Sequence, residues 1–182
     1  MIRKNLIAKA LLFFSVSSMF FSASQATAVE GEILVTLVRH AEILLPARDR
    51  DPDLLPAGAD RAAVLGDLVK DQHVDAVFST EYLRTKRTAE IAAARAGATP
   101  RIIGATHQGD LVAEIKENYV GKSVLIVGHS NTVPAIIEAL GGPSLPNINE
   151  AEFDNIFQVK ITSDHVEMVQ GKYGSPSVIP TH

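Results

Sequence analysis

Residues 123–142, SVLIVGHSNTVPAIIEALGG, carry the reading of the fold. The run SVLIV at 123–127 is a short, β-branched and aliphatic segment and reads as a buried strand. His129 closes it. Ser130 then stands as the cap of a helix running to Leu140, and Gly141-Gly142-Pro143 supplies the stop. A strand that hands a histidine to the start of a helix is one unit of a layered α/β fold.

The same alternation runs outward in both directions. ILVTLV at 33–38 predicts a first buried strand ending at Arg39-His40. After Pro56-Ala57-Gly58, residues 59–70 place Ala62, Val64, Leu65, Leu68 and Val69 at helical intervals. VDAVF at 74–78 is a second strand, closed by Ser79, and the alanine-rich stretch 82–96 is a helix ended by Gly97. A third strand at 101–103 and a helix at about 110–119 follow. Phe157, Val159 and Ile161 alternate with polar residues, Ser163-Asp164 suits a turn, and Val166 and Met168 continue beyond it, so the end is a hairpin. The tail from Gly171 is rich in Gly, Pro and Ser and is expected to fray. The expected fold is α/β: three layers, α/β/α, with a mostly parallel sheet and a C-terminal β-hairpin.

Composition narrows the function. The 182 residues hold 17 Lys and Arg against 21 Asp and Glu, a formal net charge of −4. That balance offers no basic excess for a nucleic-acid backbone. With no cysteine, disulfides, thiolate metal sites and cysteine nucleophiles are all excluded. Residues 1–28 read as an export signal: Arg3, Lys4 and Lys9 precede an uncharged run from Ala10 to Phe21, and Ala26-Thr27-Ala28 fits signal peptidase. The apolar run falls short of the roughly 20 residues of a membrane span, although retention as an N-terminal anchor is the alternative reading. Cleavage would remove three basic residues, take the charge from −4 to −7 and leave 29–182 as one domain. A periplasmic or secreted protein without stable membrane association is expected.

Ligands in parallel sheets bind beyond the carboxyl ends of the strands. The reactive side chains there are Arg39 and His40 after the first strand, Ser79 after the second with Arg84 in the next helix, and His129 after the fourth. Two arginines and two histidines beside helix N-termini suit a phosphate, and a histidine suits a phosphoryl-accepting nucleophile. No paired His or Asp spacing suggests a metal site, so no metal or cofactor is expected.

LVRHAE at 37–42, STEYLRTKRTAE at 79–90 and VGHSNT at 127–132 resemble the three signatures of the histidine phosphatase superfamily, with its phosphoglycerate-mutase-like fold. DPDLLPAG at 51–58 resembles the element that follows the first motif. The resemblance implies His40 as the residue phosphorylated in turnover, with Arg39, Arg84 and a protonated His129 completing the phosphate pocket. It also implies a small phosphorylated substrate, and a general acid between the second and third motifs. Asp110 stands near that place; His107, Glu114 and Glu42 are the rivals. Leu55 departs from the family's usual capping Thr, and Arg87 from its usual Gln, which places an extra cation near the pocket. The short connections at 41–57 and 104–110 suggest a small, open pocket suited to hydrolysis rather than to a sheltered mutase reaction.

Two other classes compete. GHSNT is half of a nucleophile elbow centred on Ser130, but Thr132 replaces the second glycine. A non-catalytic exported module binding phosphorylated ligands would use the same pocket without needing His40. Ser79 and Thr88 read as structural hydrogen-bonders, and His73, His165 and His182 as exposed.

Overall fold

The computed structural model describes residues 31–44 and 49–178. The expected export signal lies outside the described residues, as does His182. The elements are β1 (Ile33–Arg39), α1 (Pro56–Asp71), β2 (Ala76–Ser79), α2 (Leu83–Ala96), β3 (Pro100–Ile102), α3 (Gln108–Asn118), β4 (Ser123–Gly128), α4 (Thr132–Leu140), β5 (Asn155–Ile161) and β6 (Val166–Lys172). They form one six-stranded sheet in the order β3-β2-β4-β1-β5-β6. The pairs β1–β4, β2–β4 and β2–β3 are parallel; β5 runs antiparallel to β1 and to β6.

Both faces of the sheet are covered, as its continuous apolar strands require. In β4, Val124 and Ile126 pack with Leu111 and Ile115 of α3 and Ile136 and Ile137 of α4. Their neighbours Leu125 and Val127 point the other way, to Leu65 and Val69 of α1 and Ala89, Ala92 and Ala93 of α2. The period-2 alternation of one buried strand thus feeds two cores and makes three layers. The three alanines, all fully buried, let α2 lie close to the sheet.

Several boundaries differ from the sequence expectation, four of them for a physical reason the structure shows. Helix α1 starts at Pro56, whose missing N–H suits a first helical position, rather than at residue 59. The Val74 N–H bonds back to Val69 O at 3.3 Å, so pairing in β2 begins only at Ala76. Helix α4 starts at Thr132, not after Ser130: Asn131 is its N-cap, and Thr132 Oγ1 accepts the His129 N–H at 2.8 Å. The tail does not fray at Gly171. Buried Arg61 donates to Tyr173 O at 2.6 Å and Ser175 O at 2.7 Å, and Ser177 Oγ accepts the Phe153 and Asp154 N–H groups at 2.8 and 3.1 Å. No helix among the described residues is long and apolar enough to cross a membrane.

Candidate active site

Adjacent strands β1 and β4 send their chains to opposite faces of the sheet, into α1 and α4. That divergence opens a crevice at their carboxyl ends, the place where such sheets bind ligands. A cavity of about 780 Å³ lies there, with Arg39, His40, Arg84 and His129 in its wall. It is a full-sized ligand site and not the small pocket that the short loops suggest.

His40 follows the last residue of β1, its backbone N–H bonded to Gly128 O at 2.9 Å and the residue as a whole 3% exposed. Its Nδ1 lies 2.9 Å from Ala41 O, a carbonyl that can only accept, so Nδ1 carries the proton and Nε2 keeps the lone pair. The pKa is pushed down to about 3, by burial first and then, more weakly, by Arg39, His129 and Arg84. Removal from water, rather than the neighbouring arginines, is the larger cause.

His129 stands across from it, ring centroids 5.6 Å apart and edge to face. Its Nε2 is 2.8 Å from Thr80 Oγ1, which lies 2.7 Å from Thr85 Oγ1, which in turn donates to Tyr82 O at 2.7 Å. Run as a relay of donors, this row places a proton on His129 Nε2 and leaves Nδ1 to face Arg84 Nη2 at 3.5 Å. Burial, followed by Arg84, lowers the His129 pKa to about 4. His129 is therefore neutral near pH 7 before a ligand binds; the protonated form that the family resemblance implies belongs to the phosphate-bound pocket. A phosphate dianion beside it would raise that pKa again.

The two arginines are held from the loops. Arg39 is 2% exposed; its Nη1 donates to the carbonyls of Asn149, Glu150 and Glu152 at 3.0, 2.8 and 3.1 Å, and Phe153 stacks 4.4 Å from its guanidinium carbon. Its Nη2 meets Glu150 Oε2 at 2.6 Å, while the buried Nε has no hydrogen-bond partner among the described residues. An unpartnered buried guanidinium N–H is the donor an anionic ligand would satisfy. Arg84 lies 4.6 Å over the Tyr82 ring and 3.6 Å from Asp51 Oδ1. That same oxygen accepts the Leu83 N–H at 2.6 Å, so one carboxylate caps α2 and orients Arg84.

The profile of the histidine phosphatase superfamily (branch 1) matches residues 35–107. Over that stretch, which holds the first two motifs, the chain is similar to this superfamily. Solved structures share its fold. The protein histidine phosphatase SixA, complexed with tungstate, is 20% identical over 76% of this chain and 96% of its own, with a TM-score of 0.62. Mycobacterial hydrolase 1 is 15% identical over 80% and 100%, at 0.60. A mycobacterial glucosyl-3-phosphoglycerate phosphatase in complex with VO3 is 14% identical over 75% and 96%, at 0.59. No curated protein matches the sequence.

The structure brings Arg39, His40, Arg84 and His129 together, but not the expected acid. Asp110 is exposed in the first turn of α3 and does not line the cavity, although Gln108 and Gly109 do. The rivals are also elsewhere. Glu42 is paired with Arg61 at 2.6 Å, Glu114 is paired with Arg101, and exposed His107 sits at the N-terminus of α3. The carboxylates that do line the cavity are Asp49 and Glu150. Arg87 lies outside it, spread between Asp53 at 3.8 Å and Glu90 at 3.2 Å. Ser130 Oγ donates to Glu150 Oε1 at 2.6 Å and, among the described residues, hydrogen-bonds no histidine, which weakens the nucleophile-elbow reading. Among the described residues no group of three or more His, Asp or Glu is placed to hold a metal ion.

Sequence reasoning missed Thr80, Thr85, Asp51, Phe153 and Glu150. The first three lie inside segments already singled out, at 79–90 and 51–58, yet only the fold shows which atoms they touch. Thr88 has the structural role expected, accepting the Ala41 N–H at 3.0 Å and donating to Arg84 O at 2.8 Å.

Proposed function

We propose that this phosphatase is exported and hydrolyses phosphate monoesters through a phosphohistidine on His40, without a metal or cofactor. The observation that carries the reading is the state of His40: buried, neutral, with Nδ1–H committed to Ala41 O, and flanked in one cavity by Arg39, Arg84 and His129. A neutral imidazole with a fixed tautomer is ready to attack phosphorus.

The reaction follows from these placements. His40 Nε2 forms a bond to phosphorus while the bond from phosphorus to the ester oxygen breaks. Arg39 Nε–H, Arg84 and His129 bind the equatorial oxygens, and His129 gains a proton as the phosphate's charge arrives. The leaving oxygen takes its proton from water entering the open cavity. A water then attacks phosphorus, the N–P bond breaks, and inorganic phosphate leaves with His40 neutral again. With no acid fixed at the leaving group, esters of acidic alcohols and phenols are the faster substrates.

Export rests on the signal-like residues 1–28, and periplasm or exterior is the proposed location. Hydrolysis of p-nitrophenyl phosphate by residues 29–182, unaffected by chelator and lost in His40→Ala, is the expected result. Full activity in His40→Ala would overturn the reading. Phosphate binding without turnover at any pH would turn it into a phospho-ligand receptor.

A further inference from the structure

Three arginines line the cavity, Arg39, Arg50 and Arg84; Arg39 and Arg84 each face a carboxylate already, and the two carboxylates are held very differently. Asp51, opposite Arg84, is fixed by the Leu83 N–H that its oxygen caps. Glu150, opposite Arg39, has a side chain 70% exposed and is held, among the described residues, by Arg39 Nη2 and the Ser130 hydroxyl, each at 2.6 Å. Nor does Arg39 need that carboxylate to stay in place. Three backbone carbonyls and the Phe153 ring position it independently.

A guanidinium offers five N–H donors. Three carbonyls share those of Nη1 and Glu150 takes one from Nη2, which leaves Nε–H and the second Nη2–H for a ligand. A phosphate on that remaining fork has the Glu150 carboxylate as its immediate anionic neighbour on the same guanidinium. Like charges sharing one guanidinium disfavour each other, to an extent moderated by the water that reaches the exposed Glu150 carboxylate.

Resting on the reading of this cavity as a phosphate site, we propose that Glu150 is a specificity-determining residue. Its carboxylate shares Arg39 with the incoming phosphate, weakens the binding of free phosphate, and discriminates against ligands carrying a second anion next to the phosphoryl group. Ligands with a cation at that position are favoured, because the carboxylate then meets an opposite charge. The substrate class this selects is a phosphoryl group on a neutral or cationic carrier.

The test is calorimetric titration of residues 29–182, wild type and Glu150→Gln, with inorganic phosphate, 2-aminoethylphosphonate and 3-phosphonopropionate. The two phosphonates resist hydrolysis and differ chiefly at one end, amine against carboxylate. Wild type is expected to bind the amine roughly tenfold more tightly than the carboxylate, and Glu150→Gln to reduce that preference to about twofold while tightening phosphate about fivefold. A gain in affinity cannot arise from misfolding. An unchanged preference, or weaker phosphate binding in the variant, overturns the proposal, as does failure of both proteins to bind phosphate. If phosphate binds more tightly to Glu150→Gln but p-nitrophenyl phosphate is not turned over by wild type, Glu150 keeps its role and the hydrolytic reading falls.

Discussion

Thr80→Val isolates the hydroxyl relay behind His129. The substitution keeps the β-branched shape and removes the oxygen that His129 Nε2 meets at 2.8 Å, in a pocket where Thr80 and His129 are both buried. With a neutral His129 that bond contributes about 1 kcal/mol, and once phosphate has drawn a proton onto the ring it becomes charge-assisted, worth about 1.5–3 kcal/mol. The phosphate-bound state therefore loses about 0.5–2 kcal/mol more than the free one, which appears as a fall of about 2- to 30-fold in kcat/KM. Leaving the buried ring N–H without an acceptor also costs about 1–3 kcal/mol of stability, a drop in Tm of roughly 3–10 °C. Steady-state kinetics on p-nitrophenyl phosphate with a thermal melt measures both, and Thr80→Ser, which keeps the hydroxyl, is expected to restore most of the rate. A Thr80→Val enzyme with kcat/KM within about twofold of wild type would refute the reasoning, whatever its Tm.

Other consequences concern stability and the missing acid. Burial, more than neighbouring charge, lowers His40 to about 3 and His129 to about 4. The unfolded chain has histidines near 6.5, so it binds more protons between these values and stability falls as pH drops below about 6.5. Each histidine contributes up to about 1.4 kcal/mol per pH unit in that window; urea unfolding at pH 5 and 7 should show a shallower pH slope for His40→Asn, and an equal slope would contradict the buried neutral state. A Cβ on Gly58 would stand 2.5 Å from Glu42 O, so Gly58→Ala must push α1 off the segment that follows His40. It is expected to lose about 1–3 kcal/mol in the same assay, and a neutral result would mean the contact relaxes freely. Asp110→Asn should keep kcat within about threefold on an alkyl phosphate, because the side chain is exposed outside the cavity; a loss of a hundredfold or so would place Asp110 at the leaving group in the substrate complex.

The layer order and most elements were legible because they are local: SVLIV at 123–127 alternates between two cores, and Gly97 ends α2 with a left-handed φ of 71°. Arg39, His40, Arg84 and His129 were legible because each sits at or just past a strand end, where the topology forces convergence. What sequence could not show depends on distant partners. Ser130 looks like a helix cap in isolation, yet its hydroxyl is claimed by Glu150, twenty residues on. The tail after Gly171 looks loose, yet Arg61 fastens it from α1 across more than a hundred residues. The neutral resting state of His129 was hidden for a related reason, since burial of a ring is a property of the assembled fold.

The central claim is that His40 accepts the phosphoryl group. Rapid quench of residues 29–182 with p-nitrophenyl phosphate into alkali, followed by peptide mass spectrometry, tests it directly. The account predicts one acid-labile, alkali-stable phosphate on the peptide holding His40, absent in His40→Ala. Turnover that proceeds with no phosphorylated histidine, or with the phosphate on Ser130, would contradict it.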